Sequence, residues 1–177
     1  MANTLSGAMF RISLNGSVTA PAGASVAQLT AATNAALATA IASGTGNGQA
    51  NAIVSYAGTV STGTPVTVDL CGLAGLVNPT LLTGIKAILI QNQSQTVGQD
   101  LTFGDVSGVI TNEWTAPFGT AAGAIIAHAG SAAGQPLGAI AMQSPIGYAV
   151  DGSHHLLTVT AAAGTNVPFQ IDIIGTV

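Results

Sequence analysis

From residue 52 onward the chain breaks into short apolar runs, each of a strand's length, cut apart by clusters of Gly, Pro, Asn and Ser. The runs cover 52–59, 65–70, 85–92, 100–103, 123–129, 138–142, 147–150, 155–161 and 168–174. A period near two, with turn residues between the runs, is the pattern of an antiparallel sheet protein. No second long helical pattern alternates with them, which argues against a parallel βαβ fold. The expected fold class is therefore mainly β: an antiparallel β-sandwich or jelly-roll-like domain. Two runs are sharper than the rest. Ile85-Lys86-Ala87-Ile88-Leu89-Ile90 is almost continuously apolar, as in a central strand covered on both faces, whereas Phe169-Gln170-Ile171-Asp172-Ile173 alternates between one core face and one wet face.

The first fifty residues differ. Residues 9–19, MFRISLNGSVT, alternate around Phe10, Ile12 and Leu14 and predict a strand or extended arm. After Pro21-Ala22-Gly23, the sequence Ser25-Val26-Ala27-Gln28 matches a capping box, which predicts a helix over 26–42. At a helical period Val26, Leu29, Leu37, Ala40 and Ile41 share a narrow apolar face, and Gly44 supplies the stop. Gly44-Thr45-Gly46-Asn47-Gly48 then makes a flexible joint. The expected organisation is an N-terminal arm over 1–50 carrying one α-helix, followed by a β-sandwich domain over 51–177.

Charge sets the next limit. The 177 residues hold two cations, Arg11 and Lys86, against six acids, Asp69, Asp100, Asp105, Glu113, Asp151 and Asp172. Charged residues make up 5% of the chain, where an ordinary soluble domain has about 25%. Mean hydropathy is correspondingly high, at +0.58. A chain this poor in charge is expected to work packed against neighbours, with little free surface to solvate. Two cations neutralise too few phosphates for direct nucleic-acid binding, and no polybasic cluster is present to attract anionic lipid. The apolar stretch 70–90 is interrupted by Asn78, Pro79, Thr80, Gly84 and Lys86, so no transmembrane helix is expected there. One Trp, two Tyr and four Phe are too few for the aromatic girdles of a membrane barrel. Residues 1–6 lack the basic start of a secretory signal, so synthesis is expected to end in the cytoplasm.

Chemistry-bearing residues are sparse. Cys71 is the only cysteine and lies in an apolar context, as a small buried hydrophobe does. A Gly-x-Ser-x-Gly elbow is absent. His154 and His155 are adjacent, and on a strand they would point to opposite faces, so they read as a solvated turn junction. Asp100, Asp105 and Glu113 fall in the most polar stretch; a carboxylate pair could serve glycoside hydrolysis, but with few aromatics to stack sugars they read as solvated loop acids. The Gly-x-Gly-x-Gly string of residues 44–48 follows a predicted helix, where a dinucleotide fingerprint must open one, and Lys86 lacks the glycines of a phosphate loop. No cofactor or metal is expected. Trp114 and Phe118 form the densest aromatic site, either as core filling under a long loop or as an anchor in a subunit contact.

Several pieces together resemble small virion structural proteins of tailed bacteriophages. They are Gly44-Thr45-Gly46-Asn47-Gly48-Gln49-Ala50, Asp69-Leu70-Cys71-Gly72-Leu73, Ile85-Lys86-Ala87-Ile88-Leu89-Ile90-Gln91-Asn92, and His155-Leu156-Leu157-Thr158-Val159 with residues 169–175. Such proteins have an Ala/Thr-rich N-terminal part, a Gly-rich joint and a compact β-domain closing on Ile-Gly. The resemblance implies a non-enzymatic virion component, made in the host cytoplasm and added to the particle. Its favoured form is a capsid decoration or cementing subunit that sits as a homotrimer on the capsid lattice. The implied partners are other copies of the chain and the major capsid protein or other virion proteins, with no nucleic acid and no membrane. Candidate interface residues are Phe10, Ile12, Leu14, Leu29 and Leu37 in the arm, with Trp114 and Phe118. The alternatives are a tail- or fibre-associated receptor-binding module using the polar loop 91–113, and a small carbohydrate-active enzyme using Asp100, Asp105 or Glu113.

Overall fold

The computed structural model describes residues 9–16, 33–73, 82–105, 108, 110–118, 123–130 and 138–177. Among them there is no helix. The described residues form twelve strands in the order β1 (Met9–Gly16), β2 (Thr33–Ala40), β3 (Ala42–Ser43), β4 (Gln49–Ala50), β5 (Ala52–Val60), β6 (Val66–Asp69), β7 (Gly84–Asn92), β8 (Leu101–Phe103), β9 (Ile125–Ala127), β10 (Ala139–Ala149), β11 (Leu156–Ala161) and β12 (Val167–Thr176).

The body is mainly β, with two four-stranded antiparallel sheets packed together in a sandwich-like arrangement. The first sheet has the order β10-β7-β12-β5 and the second β6-β11-β8-β9. The pairings nest: β5 with β12, β6 with β11, β7 with β10, β8 with β9. The two halves of a long ribbon thus run back along each other, and the added pairs β7·β12 and β8·β11 wrap that ribbon into two sheets.

Strand burial follows side-chain chemistry. In β12, Val167, Phe169, Ile171 and Ile173 are buried while Pro168, Gln170, Asp172 and Ile174 between them are partly exposed. In β7, Ile85, Lys86, Ala87, Ile88 and Ile90 are all buried. Its inner residues enter the main core, and Ala87 is covered from outside by Ile41 and Ala50, with Ala141 and Ile174 alongside. Phe169 ties the layers together: its ring meets Phe103 of the second sheet edge-on at 5.9 Å and Tyr56 of β5 at the same distance. Such aromatic pairs add about 0.5–1.5 kcal/mol beyond the area they bury.

All nine strand runs expected after residue 50 are present. Two of them, 138–142 and 147–150, belong to one strand, β10, whose register against β7 shifts between Gln143 and Tyr148. Of the strand predicted at 9–19, residues 9–16 are found as β1; residues 17–19 lie outside the described residues.

The helix predicted over 26–42 is corrected where the structure describes it: Thr33–Ala40 is a strand, antiparallel to β1 along its whole length. The helical reading rested on a stripe in which residues 33–40 contribute only Leu37 and Ala40, too little apolar area to hold a helix by burial. Pairing with β1 instead satisfies every backbone group on the shared edge and sets Ile12 opposite Leu37. Residues 26–32, including Leu29, lie outside the described residues.

Candidate functional site

The long connection between β8 and β9 carries the densest polar and aromatic construction. Asn112, at a positive φ of 64°, turns the chain so that its carbonyl accepts the N–H groups of His155 and Leu156. Glu113 then bridges to Leu156 in parallel, and the Trp114 N–H donates to the Leu156 carbonyl at 2.6 Å. Both carboxylate oxygens of Glu113 are engaged by one residue of β11: the Thr158 N–H donates at 2.9 Å and the Thr158 hydroxyl at 2.6 Å. Glu113 is only 3% exposed. Burial raises its carboxyl above the ordinary range, the Thr158 hydrogen bonds oppose that shift, and the nearby Asp105 adds to it. Asp105 is itself buried and accepts the Ile110 N–H at 2.6 Å. Two of the three acids expected to be solvated, Asp105 and Glu113, are therefore inside the fold, fixing the loop from within.

Trp114 is fully enclosed by its own chain. Its indole N–H donates to the Ala149 carbonyl at 2.8 Å, and its ring meets Phe118 and Tyr148 edge-on. Phe118 is half-buried against the same core. Phe10, Ile12, Leu14 and Leu37 lie on the β1–β2 ladder, where the register sets Phe10 opposite Thr39, Ile12 opposite Leu37 and Leu14 opposite Ala35.

The remaining titratable groups are dispersed. Asp100, at the opposite end of β8 from Asp105, accepts the Ala129 N–H at 2.9 Å and pairs with His128 at 3.0 Å; the backbone bond, then the imidazole, holds its carboxyl below the ordinary range. Asp151 lies in the turn before β11, where the Ser153 N–H lowers its carboxyl, His154 Nδ1 sits 3.4 Å from the carboxylate and His155 Nδ1 is 3.1 Å from the Asp151 carbonyl. Cys71 is buried, and loss of hydration, then Asp69 and Asp151, pushes its thiol up, away from the reactive thiolate. Among the described residues no three His, Cys, Asp or Glu side chains come together as a metal site.

Two features of the surface were missed in the sequence. The first surrounds Lys86, which is 5% exposed. Its ammonium donates to the carbonyls of Ile146 at 2.5 Å and Pro145 at 3.4 Å, under an excursion of β10 that also accepts the Gly48 N–H at Pro145. The excursion presents Ile146, 75% exposed, as a fixed apolar knob. A lone lysine in an apolar run was the only signal, and nothing in its spacing says what it caps.

The second feature is the set of sheet edges. β6 and β9 are edges of four and three residues, and β10 is broken by its excursion and Pro145. β5 is different: nine residues, AIVSYAGTV, with no charge and no proline, and with Ile53, Ser55, Ala57 and Thr59 exposed. Beside it Ser55 donates to Asp172 at 2.5 Å, and Gln170 and Gln93 extend that polar row across the sheet. The signal for this edge was available as the absence of Lys, Glu and Pro in the run 52–60. Strand order, which decides whether a run is an edge, was not.

No family model, curated protein or solved structure matches this chain.

Proposed function

We propose that the chain is a non-enzymatic structural subunit of a virion, a capsid decoration or cementing protein that acts through apolar and backbone contacts between copies and with its lattice. The observation that carries this reading is the charge count: eight formal charges over 177 residues leave most of the surface without the means by which a free domain stays dispersed. The strand order supports it. Pairings that nest from β5·β12 inward to β8·β9, split between two sheets, favour a jelly-roll-like reading of the sandwich, an architecture shared by capsid and lectin domains. Each Å² of apolar surface covered in an assembly contributes about 25 cal/mol, so contacts of this kind need few charges.

The test is mass and stoichiometry together: the native mass of the purified chain and its copy number in particles that co-sediment with it. A trimer or hexamer present in hundreds of copies supports the decoration role. A few copies per particle would favour the receptor-binding alternative, with loop 91–113 as its contact surface. A monomer with no particle association would overturn the assembly reading. The carbohydrate-active alternative is the weakest, because both Glu113 oxygens are held by Thr158 and Asp105 is buried.

A further inference from the structure

We propose that the free edge of β5 is completed by the β1–β2 hairpin of a second copy of this chain. The inference rests on the assembly reading above and names the surface and the segment through which copies join.

Three of the four edges of the sandwich are guarded, two by shortness and one by Pro145 and its excursion. The fourth, β5, is paired with β12 in unbroken register from Val60↔Val167 to Ala52↔Gly175, and among the described residues no strand pairs with its other side. An edge of this length without charge or proline is a template for a further extended strand. The complementary need is in the same chain. β1 and β2 form a two-stranded sheet of their own, with eight pairs in register. An isolated two-stranded ladder is marginal in water, and a third strand makes it stable. The register sets Phe10, Ile12 and Leu14 of β1 opposite Thr39, Leu37 and Ala35 of β2. The strand lengths match, eight residues against nine.

The hairpin's own β5 is out of reach. β2 ends at Ala40, and Ile41 is already buried over Ala87 of β7. The order β7-β12-β5 puts a strand added to β5 three inter-strand spacings from β7, roughly 14 Å. One residue of chain spans at most about 3.5 Å. The base of the hairpin therefore cannot lie beside β5 of the same chain, and a second copy must receive it. The contact joins two different surfaces, so repetition closes a ring when the rotation permits.

The test uses the purified full chain without particles, so its outcome is independent of whether the virion role holds. Native mass and amide hydrogen exchange are followed through a dilution series. The expected result is that outward-facing amides of 52–60 and the amides of 9–16 and 33–40 lose protection together as the oligomer dissociates, with exchange at least about tenfold faster in the monomer. A chain covering 41–177 should stay monomeric at every concentration. The proposal is overturned if the full chain is monomeric throughout, if β5 is equally protected in monomer and oligomer, if the oligomer leaves it exchanging freely, or if the shortened chain still assembles. Should the shortened chain fail to fold, the dilution series of the full chain decides alone.

Discussion

Glu113 gives the connection between β8 and β9 a pH response whose sign follows from its burial. Its carboxyl is raised in the folded state above the ordinary value of 4.5, so the folded chain holds that proton more tightly than the unfolded chain does. The resulting stability is fully present below the unfolded value and is lost as pH rises through the raised one. Glu113→Gln keeps an acceptor for the Thr158 N–H and removes the titration. Thermal melts from pH 4 to 7 should show the wild type falling relative to this variant, by about 2–4 °C for each kcal/mol lost; parallel curves would refute the assignment. Trp114→Ala should cost about 3–5 kcal/mol in urea unfolding, because it empties the space between Phe118 and Tyr148 and leaves the Ala149 carbonyl without its donor. The aromatic site at Trp114 and Phe118 was visible in the sequence; which way Trp114 faces was not. Nor was the burial of Glu113, because its partner Thr158 is 45 positions away and local polarity carries no trace of so distant a hydrogen bond.

At the level of elements, alternation and turn residues were enough to find every strand among the described residues after 50, since a half-buried strand must alternate and its ends must turn. Pairing was not legible. β12 alternates because one of its faces meets water, but a period of two does not say whether a strand is central or an edge, and only the strand order puts β12 in the middle of its sheet. Residues 33–40 were misread because alanine suits helix locally and the competing partner, β1, is remote in sequence. Close approaches between strands offer a sharp check. A Cβ at Gly175 would come 2.5 Å from the Gly84 carbonyl oxygen, at the irregularity where β12 passes β7. One at Gly58 would meet the Phe169 ring at 2.8 Å. Gly175→Ala is expected to cost about 1–3 kcal/mol, and more than Gly58→Ala, because a ring shifts more easily than a paired backbone. Lys86→Met should release the excursion of β10: the amides of Ser144, Ile146 and Gly147 would exchange faster while those of β12 remain protected. Unchanged exchange at these three would mean the lysine does not hold the knob.

For the whole molecule, the scarcity of charge predicts how association responds to salt. Contacts between uncharged edges and apolar faces are not screened, so raising ionic strength from about 0.05 to 0.5 M should leave the native mass unchanged or shift it toward the oligomer. Dissociation by salt would indicate that the six acids and two cations matter more than their number suggests. The position of β12 between β5 and β7 has a further consequence, for the order of events in folding. β12 follows β7 only after the whole of 93–166, so until it arrives the first sheet is split and both β5 and β7 carry an additional open side. Pairings so distant along the chain form slowly, and strands left open meanwhile are exposed to pairing with other molecules. Refolding yield should therefore fall with protein concentration more steeply than native solubility does. The chain thus faces a contest of timing: closure by β12 must outrun capture by a neighbour at the same β5 that remains an edge strand in the finished fold.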